Sequence, residues 1–294
     1  MVDLTGKSVL VTGASSGIGL EACVQLARMG ADLTMIARDR SKGEAARRVV
    51  ETRARHGLSA ADRERVQAPE LLLCDMASQS EIRALAAEYR RSHSRLDILI
   101  NNAGSVSPTR ELTADGIEKT FAVNHLGYFL LTNLLLDLIV KSAPARIVNT
   151  SSVGHYRGTM DFDDLNFDRE RYQIMKAYGR SKLANVLFTR ELAKRLAGTG
   201  VTVNCVHPGA VSTNIWSHAM WWARPILAIA KLFMITPETG GDRLAYLAVS
   251  PEVEGKTGGY YANHRLMEPS PLARDAALAA RLWEVSAALT SSGA

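Results

Sequence analysis

Cysteine is scarce in this chain, with only three among 294 residues. Cys23, Cys74 and Cys205 lie far apart, each in an apolar context, and they match no metal-ligand spacing. A disulfide framework and a zinc site are therefore excluded as organising features, and no metal is predicted. An odd number of cysteines favours buried free thiols in a reducing compartment.

Long uninterrupted hydrophobic runs are also lacking. Residues 126–140 are too few to cross a membrane and contain Asn133 and Asp137, while residues 216–235 are interrupted by charges such as Lys231. Neither segment predicts a transmembrane helix. The first strand begins almost at the start of the chain, which leaves no room for a targeting segment. These absences together predict a cytoplasmic protein.

No run of one charge sign interrupts the sequence, although the net charge is +5 at pH 7. Many basic residues lie between positions 38 and 65, and acidic residues are mixed among them. Such mixing is typical of a solvated helix face, whereas nucleic-acid surfaces combine basic patches with interleaved aromatic residues. A nucleic-acid partner is therefore not predicted, while an anionic small molecule is compatible with the charge.

Short β-branched runs alternate with amphipathic stretches, which predicts an α/β, doubly wound (Rossmann) fold. The expected sheet is parallel, has about seven strands and carries helices on both faces. The predicted strands are residues 8–12, 33–37, 71–74, 98–100, 146–150, 201–206 and 258–261. No linker or repeat breaks this pattern, so a single domain is predicted over residues 1–294.

Helices are predicted between these strands from their start and stop signals. The principal ones are residues 16–29, 41–57, 117–141 and 176–196. Ser41 and Glu44 have the spacing of a capping box and predict the start of the second helix. Two late helices are predicted to open at Pro237 and Pro271, because proline is favoured in the first helical turn.

A glycine-rich turn follows the first predicted strand and precedes the first helix. Glycines let a backbone approach a pyrophosphate, and a helix N-terminus offers unpaired N–H groups. A purely structural turn is the alternative interpretation, but the strand–turn–helix context favours phosphate binding. The candidate residues of this cradle are Gly13, Ser15, Ser16, Gly17, Ile18 and Gly19.

Further motifs occur at matching places along the chain. The glycine spacing is Gly13-x3-Gly17-x-Gly19, the sequence 101–104 reads Asn-Asn-Ala-Gly after the fourth strand, and Tyr178 precedes Lys182 by four residues. In order and spacing this pattern resembles the short-chain dehydrogenase/reductase family. Residues 181–192 and 206–209 are most similar to its retinol-dehydrogenase-like branch. The resemblance implies an oxidoreductase with a nicotinamide cofactor.

The end of the second strand bears on which nicotinamide is used. NAD-binding Rossmann sites carry a carboxylate there for the ribose hydroxyls, but this chain has Arg38. A guanidinium pairs with a 2′-phosphate, and Lys42 adds a second charge nearby. The alternative is that Arg38 is a surface residue and Asp39 binds the ribose. The cofactor predicted from Arg38 is NADP(H).

The resemblance implies further cofactor contacts. Asp75 and Met76 are expected beside the adenine, and Asn102, Ala103 and Gly104 are expected at the floor of the cofactor site. The residues expected to border the nicotinamide are Pro208, Gly209, Val211 and Thr213.

Tyr178 and Lys182 share one helix face, since they are four residues apart. Hydride transfer to a carbonyl needs a proton donor. A lysine ammonium, together with the positive charge of the oxidised nicotinamide, is expected to lower the pKa of the phenol toward neutrality. The family's catalytic serine is the second of a pair, which favours Ser152 over Ser151. By resemblance, Asn124 completes the tetrad by bonding a water that links Lys182 to solvent.

Two histidines are weaker alternatives as acid–base groups. Neither His125 nor His155 has an apparent partner in the sequence, although His155 is a candidate substrate contact. The segment between the sixth strand and the late helix, residues 211–237, is predicted to be a substrate lid. Its clustered tryptophans suggest a lipophilic carbonyl or alcohol, while a dimer contact or a peripheral membrane contact is the competing explanation.

The predicted function is an NADP(H)-dependent oxidoreductase in which Tyr178 is the acid–base group. A non-catalytic NADP-binding sensor or scaffold on the same fold is the alternative. The resemblance also implies a homodimer or homotetramer, formed through the long helices around residues 121–140 and 176–196.

Overall fold

The computed structural model describes residues 2–209 and 235–291. It confirms the doubly wound α/β fold, with one sheet in the order β3-β2-β1-β4-β5-β6-β7-β8. Strands β1 to β7 run parallel, and β8 pairs antiparallel with β7. The strands are Ser8–Thr12, Asp32–Ala37, Glu70–Leu73, Ile98–Asn101, Ala145–Thr150, Val201–His207, Tyr260–Ala262 and Arg265–Met267.

The eighth strand is the difference from the predicted sheet. Asn263 and His264 connect β7 to β8, and both have positive φ angles, 51° and 61°. Two consecutive residues in this conformation make the tight turn that joins antiparallel strands. Glycine usually marks such a turn, and its absence here explains why the sequence does not reveal β8.

Helices cover both faces of the sheet. They are α1 to α8: Gly17–Arg28, Arg40–Arg55, Ala60–Arg65, Gln79–Ser92, Lys119–Lys141, Ile174–Arg195, Pro237–Val249 and Ala276–Ser291. Helices α1, α2 and α7 pack on one face around Val9 and Val11. Helices α4, α5 and α6 pack on the other around Leu10 and Leu99. This arrangement leaves the carboxyl ends of the strands accessible. The order in which successive strands are added to the sheet reverses between β1 and β4, where such folds bind ligands.

Helix starts follow the predictions in part. The predicted capping box at Ser41 and Glu44 is wrong, because Asp39 caps α2 by accepting from the backbone N–H of Lys42 at 2.8 Å. Helix α7 begins at Pro237 with Thr236 as its cap, as predicted. Pro271 instead precedes a short 3-10 turn, and α8 begins only at Ala276.

Helix α5 is the most apolar helix of the fold. Its segment Ala122–Leu126 is a π-helical turn, so it runs from Lys119 to Lys141 with one widened turn. Within the described ranges it is the one helix long and apolar enough to cross a membrane, and 72% of its most apolar window is buried inside the protein. The helix extends beyond the apolar run 126–140 and agrees with the bounds 117–141 predicted for it, and packing against the sheet accounts for its apolar character.

One predicted domain over residues 1–294 stays a prediction. Most of the predicted lid, residues 211–234, lies outside the described residues, as do the candidate nicotinamide contacts Val211 and Thr213.

Candidate active site

A cleft of about 1030 Å³ opens along the carboxyl ends of the strands. It brings together the glycine turn after β1, the end of β2, the turn after β4 and the exposed end of β5. Helix α6 supplies Tyr178 and Lys182 to the same cleft. All predicted site residues in the described part of the chain line it, with the exception of Gly19.

The glycine turn has the shape that its sequence predicts. Gly13 and Gly17 have φ angles of +67° and +57°, in the left-handed region that favours glycine. A Cβ atom on Gly13 would lie 2.7 Å from the Cα atom of Ala103. Ser16 is the N-cap of α1, yet its side chain makes no capping hydrogen bond. The first N–H groups of α1 therefore remain available to an anion.

Gly19 has a different place from its neighbours. A Cβ atom there would lie 2.3 Å from the carbonyl oxygen of Gly13 and 2.4 Å from Nδ2 of Asn102. The absence of a side chain lets α1 approach the turn closely. Gly19 therefore supports the glycine turn by close packing and does not itself line the cleft.

The floor of the cleft is fastened by Thr12, a residue that the sequence analysis does not single out. Its hydroxyl oxygen accepts from the backbone N–H groups of Asn102 and Ala103, at 2.9 and 3.1 Å. The side-chain amide of Asn102 donates in return to the carbonyl oxygens of Thr12 and Gly13. These bonds hold the turns after β1 and β4 in register.

At the end of β2, two candidate residues have different surroundings. The carboxylate of Asp39 is engaged in capping α2. Arg38 is exposed beside the cleft and forms no ion pair with any described residue. Lys42 lines the same edge. This edge of the cleft is therefore basic, with its nearest carboxylate already occupied.

Asp75 and Met76 lie on the opposite wall of this end. The Asp75 carboxylate accepts from the backbone N–H of Ala77 at 2.9 Å, and its own N–H donates to Glu81. Met76 is buried. Both residues line the cleft, where the backbone after β3 turns toward α4.

The two candidate serines after β5 are separated by their contacts. The hydroxyl of Ser151 is buried and donates to the carbonyl oxygen of Lys182 at 2.9 Å. The Ser152 side chain instead hydrogen-bonds Tyr178, and its oxygen accepts from the N–H of Gly154 at 3.1 Å. Ser152 is therefore the hydroxyl that faces the phenol.

The protein alone raises the pKa of Tyr178, whereas the lower pKa predicted from the sequence needs the charge of the oxidised nicotinamide as well as that of Lys182. Burial raises the pKa of the phenol, and the hydrogen bond from Ser152 only partly opposes this. Lys182 lies near the ring, with Nζ 5.7 Å from its centroid. However, burial also lowers the pKa of Lys182, to about 7, so its ammonium is a weaker cation than expected. The protein by itself keeps Tyr178 protonated.

A buried polar chain supports Lys182 from inside the fold. Lys182 Nζ donates to the carbonyl oxygen of Thr150 at 3.1 Å, and Nδ2 of Asn185 donates to the same oxygen at 2.9 Å. Further donors and acceptors run through the sheet from there: Thr189 to Asn185, Asn149 to Thr189, and Asn101 to Asn149 and Thr132. No local sequence pattern reveals this network, because its members are scattered over β4, β5, α5 and α6.

Asn124 lies in the π-helical turn of α5, a feature found frequently at functional sites. Its Nδ2 donates to the carbonyl oxygen of Ser105 and to the hydroxyl of Ser181, both at 3.0 Å. Its Oδ1 accepts from the N–H of Ser105 at 2.8 Å. The amide therefore joins the loop after β4 to α6, close to the Tyr178–Lys182 pair.

The histidines take structural positions. His125 is buried against Ser286 of α8, with 2.9 Å between Nε2 and the hydroxyl oxygen, and burial lowers its pKa to about 3. His155 is also buried and is not among the residues that line the cleft, and its suggested contact with substrate stays a prediction. His207 does line the cleft, and burial lowers its pKa to about 4.

The mouth of the cleft is apolar. Val153, Tyr156 and Met175 line it while remaining 53%, 49% and 52% exposed. Large exposed apolar side chains grouped on one wall mark a place for a ligand or partner. Pro208 and Gly209 also line the cleft. They are the last described residues before the structure resumes at residue 235.

The chain matches known proteins over almost its full length. Residues 7–222 match the family model of the short chain dehydrogenases. Human retinol dehydrogenase 13 is 43% identical, over 97% of this chain and 85% of that protein. Mouse retinol dehydrogenase 14 is 45% identical, over 96% of this chain and 85% of that protein.

Solved structures give the same result for the fold. An uncharacterised protein from Mycobacterium paratuberculosis superposes with a TM-score of 0.78 at 32% identity, covering 99% of this chain and 96% of that one. RhlG from Pseudomonas aeruginosa, solved as an active-site complex with NADP, has a TM-score of 0.66 at 26% identity, covering 89% and 96%.

The cytoplasmic location expected from the sequence is wrong in view of these relatives. They are named for retinol, an alcohol that dissolves in membranes rather than in the cytosol. Buried free cysteines and interrupted hydrophobic runs do not distinguish a protein free in the cytosol from one that works at a membrane. These absences therefore do not establish a cytoplasmic location.

The family model covers well over half of the chain, and several relatives exceed 40% identity over nearly all of it. Solved structures at 32% and 26% identity share the fold described above. The chain is therefore a member of the short-chain dehydrogenase family, an oxidoreductase that uses a nicotinamide cofactor.

Proposed function

We propose that this protein is an NADP(H)-dependent oxidoreductase that transfers hydride between nicotinamide and a lipophilic ketone, aldehyde or alcohol. One observation carries the proposal: Ser152, Tyr178 and Lys182 line the same cleft as the glycine turn and Arg38. Tyr178 is the acid–base group, as the sequence analysis predicts.

The cleft suits a dinucleotide. Side chains are excluded from the turn at Gly13, where a Cβ atom would meet the backbone of Ala103, and the N-terminus of α1 carries no side-chain cap. The pyrophosphate would be held by the turn that contains Gly13, Ser15, Ser16, Gly17 and Ile18. Asp75, Met76, Asn102, Ala103 and Gly104 would border the adenosine half, and Pro208 and Gly209 the nicotinamide.

The phosphorylated cofactor is favoured by the end of β2. Arg38 is exposed and forms no ion pair with any described residue, so its guanidinium can donate hydrogen bonds to a 2′-phosphate. Asp39 is the residue that would bind a free 2′-hydroxyl, but its carboxylate caps α2. The solved relative RhlG, in its complex with NADP, supports the same choice.

A lipophilic substrate is favoured by the exposed apolar wall of Val153, Tyr156 and Met175. Burying these side chains against a ligand removes apolar surface from water, which stabilises the complex. The relatives named retinol dehydrogenases suggest a retinoid-like alcohol or aldehyde as the first compound to test. The clustered tryptophans Trp216, Trp221 and Trp222 lie outside the described residues.

The reduction direction follows from the protonation states of the site. The cofactor supplies the hydride when it is bound. Ser152 donates a hydrogen bond to the carbonyl oxygen and polarises it, and Tyr178 delivers the proton, since burial holds its phenol protonated. Lys182 is held toward this pair by the Thr150 carbonyl oxygen, and its ammonium stabilises the phenolate left after transfer. Asn124 holds α6 against the loop after β4.

Turnover with a set of carbonyl compounds tests the proposal. Purified wild type and Tyr178→Phe are compared with NADPH and NADH on retinal, aliphatic aldehydes and cyclic ketones. We expect turnover with NADPH and a loss of about 10²- to 10⁴-fold in kcat for the variant, because proton transfer is removed. NADPH binding, measured by its fluorescence, is expected to be unchanged.

The same measurements separate the enzyme from its alternative. A non-catalytic NADP-binding sensor would bind NADPH but turn over none of these compounds, and Tyr178→Phe would have no consequence. A preference for NADH would contradict the assignment of Arg38 while leaving the role of Tyr178 intact.

A homodimer or homotetramer is also part of this proposal. The long helices α5 and α6 are the candidate contacts between subunits, and both keep exposed positions, such as Asp137 and Arg190, outside their buried faces. Light scattering at several protein concentrations measures the subunit number, and a monomer throughout would contradict it.

A further inference from the structure

His155 connects the loop of the candidate catalytic serine to the C-terminal part of the chain. It lies in the 3-10 turn Val153–Arg157 that directly follows Ser152. Its side chain is fully buried. It is not part of the cleft wall, so the proposed mechanism leaves it without a role.

Both ring nitrogens of His155 have a backbone partner. Nδ1 lies 2.7 Å from the carbonyl oxygen of Ser152, and Nε2 lies 3.1 Å from the backbone nitrogen of Ser270. A backbone N–H can only donate, so Nε2 must be the acceptor. A carbonyl oxygen can only accept, so Nδ1 must carry the proton. The two contacts together determine a neutral ring with its proton on Nδ1.

Further contacts support the connection that His155 makes between Ser152 and Ser270. The backbone N–H of His155 also donates to the Ser152 carbonyl oxygen, at 3.1 Å. The hydroxyl of Tyr156 donates to the carbonyl oxygen of Glu268 at 2.6 Å, and the His155 ring packs between those of Tyr156 and Tyr260. The turn after Ser152 is therefore held to residues 268–270 by two neighbouring side chains.

This arrangement bears on the orientation of the Ser152 hydroxyl. That hydroxyl faces Tyr178, and its oxygen also accepts from Gly154 within the same turn. The carbonyl group of Ser152 is held by His155 from the buried side. With both ends of the residue held, the hydroxyl is set in place before a carbonyl substrate arrives.

We infer that His155 is a positioning residue for Ser152, which it holds through its Nδ1–H while residues 268–270 hold its Nε2. The inference rests on the proposed function for its effect on rate. The ring tautomer and the link to Ser270 do not depend on that function. The C-terminal segment thereby becomes part of the support of the active site.

Two substitutions separate the two bonds. His155→Asn places an amide donor near the position of Nδ1 and keeps the bond to Ser152, but it loses the acceptor for Ser270. His155→Gln places an amide oxygen near the position of Nε2 and keeps the bond to Ser270, but it loses the donor to Ser152. Each variant loses one buried hydrogen bond, so both are expected to lower Tm by a similar amount.

The rates distinguish positioning from mere stability. We expect His155→Gln to lower kcat by about 10-fold with little change in the KM for NADPH, because the serine is displaced by a fraction of an ångström. His155→Asn is expected to stay within about twofold of wild type. Ser270→Ala removes the buried hydroxyl that accepts from the backbone N–H of Ala273 but keeps the backbone N–H that donates to His155, and it serves as the matched control.

A double mutant tests whether the effect passes through Ser152. In a Ser152→Ala background, His155→Gln is expected to cost no further activity, since the hydroxyl that it positions is gone. Equal rates for the Asn and Gln variants, or additive losses in the double mutant, would overturn the inference. If the wild type reduces no carbonyl, the proposed function fails instead.

The tautomer of His155 can be measured even if the wild type reduces no carbonyl compound. Nitrogen-15 NMR of labelled histidine, assigned with the His155→Asn variant, reports which ring nitrogen is protonated. We expect the Nδ1–H tautomer in the wild type, and its signals to shift in a Ser270→Pro variant that lacks the backbone N–H. An Nε2–H tautomer for His155 would overturn the inference directly.

Discussion

Lys182 and Asn185 donate to one and the same acceptor, the carbonyl oxygen of Thr150, at 3.1 and 2.9 Å. They lie nearly one turn apart on α6, and both side chains are buried. The position of the Lys182 ammonium therefore depends on a carbonyl group that Asn185 also holds. This relationship leads from the active site into the buried polar chain behind it.

Replacing Asn185 by leucine is expected to affect catalysis as well as folding. Loss of the amide leaves the Thr150 carbonyl oxygen to Lys182 alone, at a cost of about 1–3 kcal/mol in the free energy of unfolding. We expect kcat to fall about 10-fold, because Lys182 is held less firmly. Denaturant unfolding and steady-state kinetics measure the two effects.

Thr189→Val is the matched control for this change. It removes a buried hydroxyl from the next residue of the same polar network, where Thr189 donates to the Asn185 carbonyl oxygen and accepts from Asn149. A comparable loss of stability with normal kcat is expected. Equal kcat for Asn185→Leu and wild type would show that the amide has only a structural role.

Lys182→Met is expected to abolish turnover and yet stabilise the protein without cofactor. Burial lowers the pKa of Lys182 from 10.5 to about 7, so the folded state binds this proton less readily than the unfolded state. Between these values the stability of the wild type rises with pH. Below about 7 the charged form carries its full burial cost.

The gain in Tm from Lys182→Met is therefore largest below that lower value and disappears as the pH approaches 10.5. Thermal unfolding at a series of pH values measures it. Lys119→Met is the control, because Lys119 pairs with Glu111 on the surface and a change there is expected to have little effect. A lower Tm for Lys182→Met at acidic pH would contradict the expected cost of burying the Lys182 ammonium.

Arg38→Asp is expected to reverse the cofactor preference. A carboxylate repels a 2′-phosphate and accepts from a 2′-hydroxyl, so kcat/KM should fall about 10- to 100-fold with NADPH and rise with NADH. Arg40→Asp makes the same change of charge two residues away, where the side chain does not line the cleft. If both variants lose NADPH equally, general electrostatics rather than a contact explains the preference.

Gly19→Ala tests the close approach of α1 to the glycine turn. Its Cβ atom would lie 2.3 Å from the Gly13 carbonyl oxygen, so helix and turn must separate. We expect a loss of about 1–3 kcal/mol in stability together with weaker NADPH binding. Gly241→Ala is the comparison, since a Cβ atom there would lie 2.5 Å from Cβ of Glu21, at an equally close helix contact that does not line the cleft. Normal NADPH binding by Gly19→Ala would show that the close approach is not needed.

Local signals account for the parts of the fold that could be predicted. Strand β1 matches its predicted bounds, β2, β4, β5 and β6 differ by one residue at one end, and β3 is shifted by one residue. Helix α4 is not predicted, although Ser78 caps it and Ile82, Leu85, Ala86 and Tyr89 form its buried face. That pattern is a helix signal within the sequence, so α4 was within reach of sequence analysis. The hairpin of β7 and β8 was not, because its turn lacks glycine.

Sequence by itself determined the order of strands and helices, the glycine turn, and the pairing of Tyr178 with Lys182, because each depends on residues close together in the chain. Only the tertiary structure decided which distant groups meet and what burial does to their charges. His155 and Ser270 are 115 residues apart, and no local pattern joins them. Burial likewise raises the pKa of Tyr178 in the protein alone, because desolvation depends on everything that packs around the phenol.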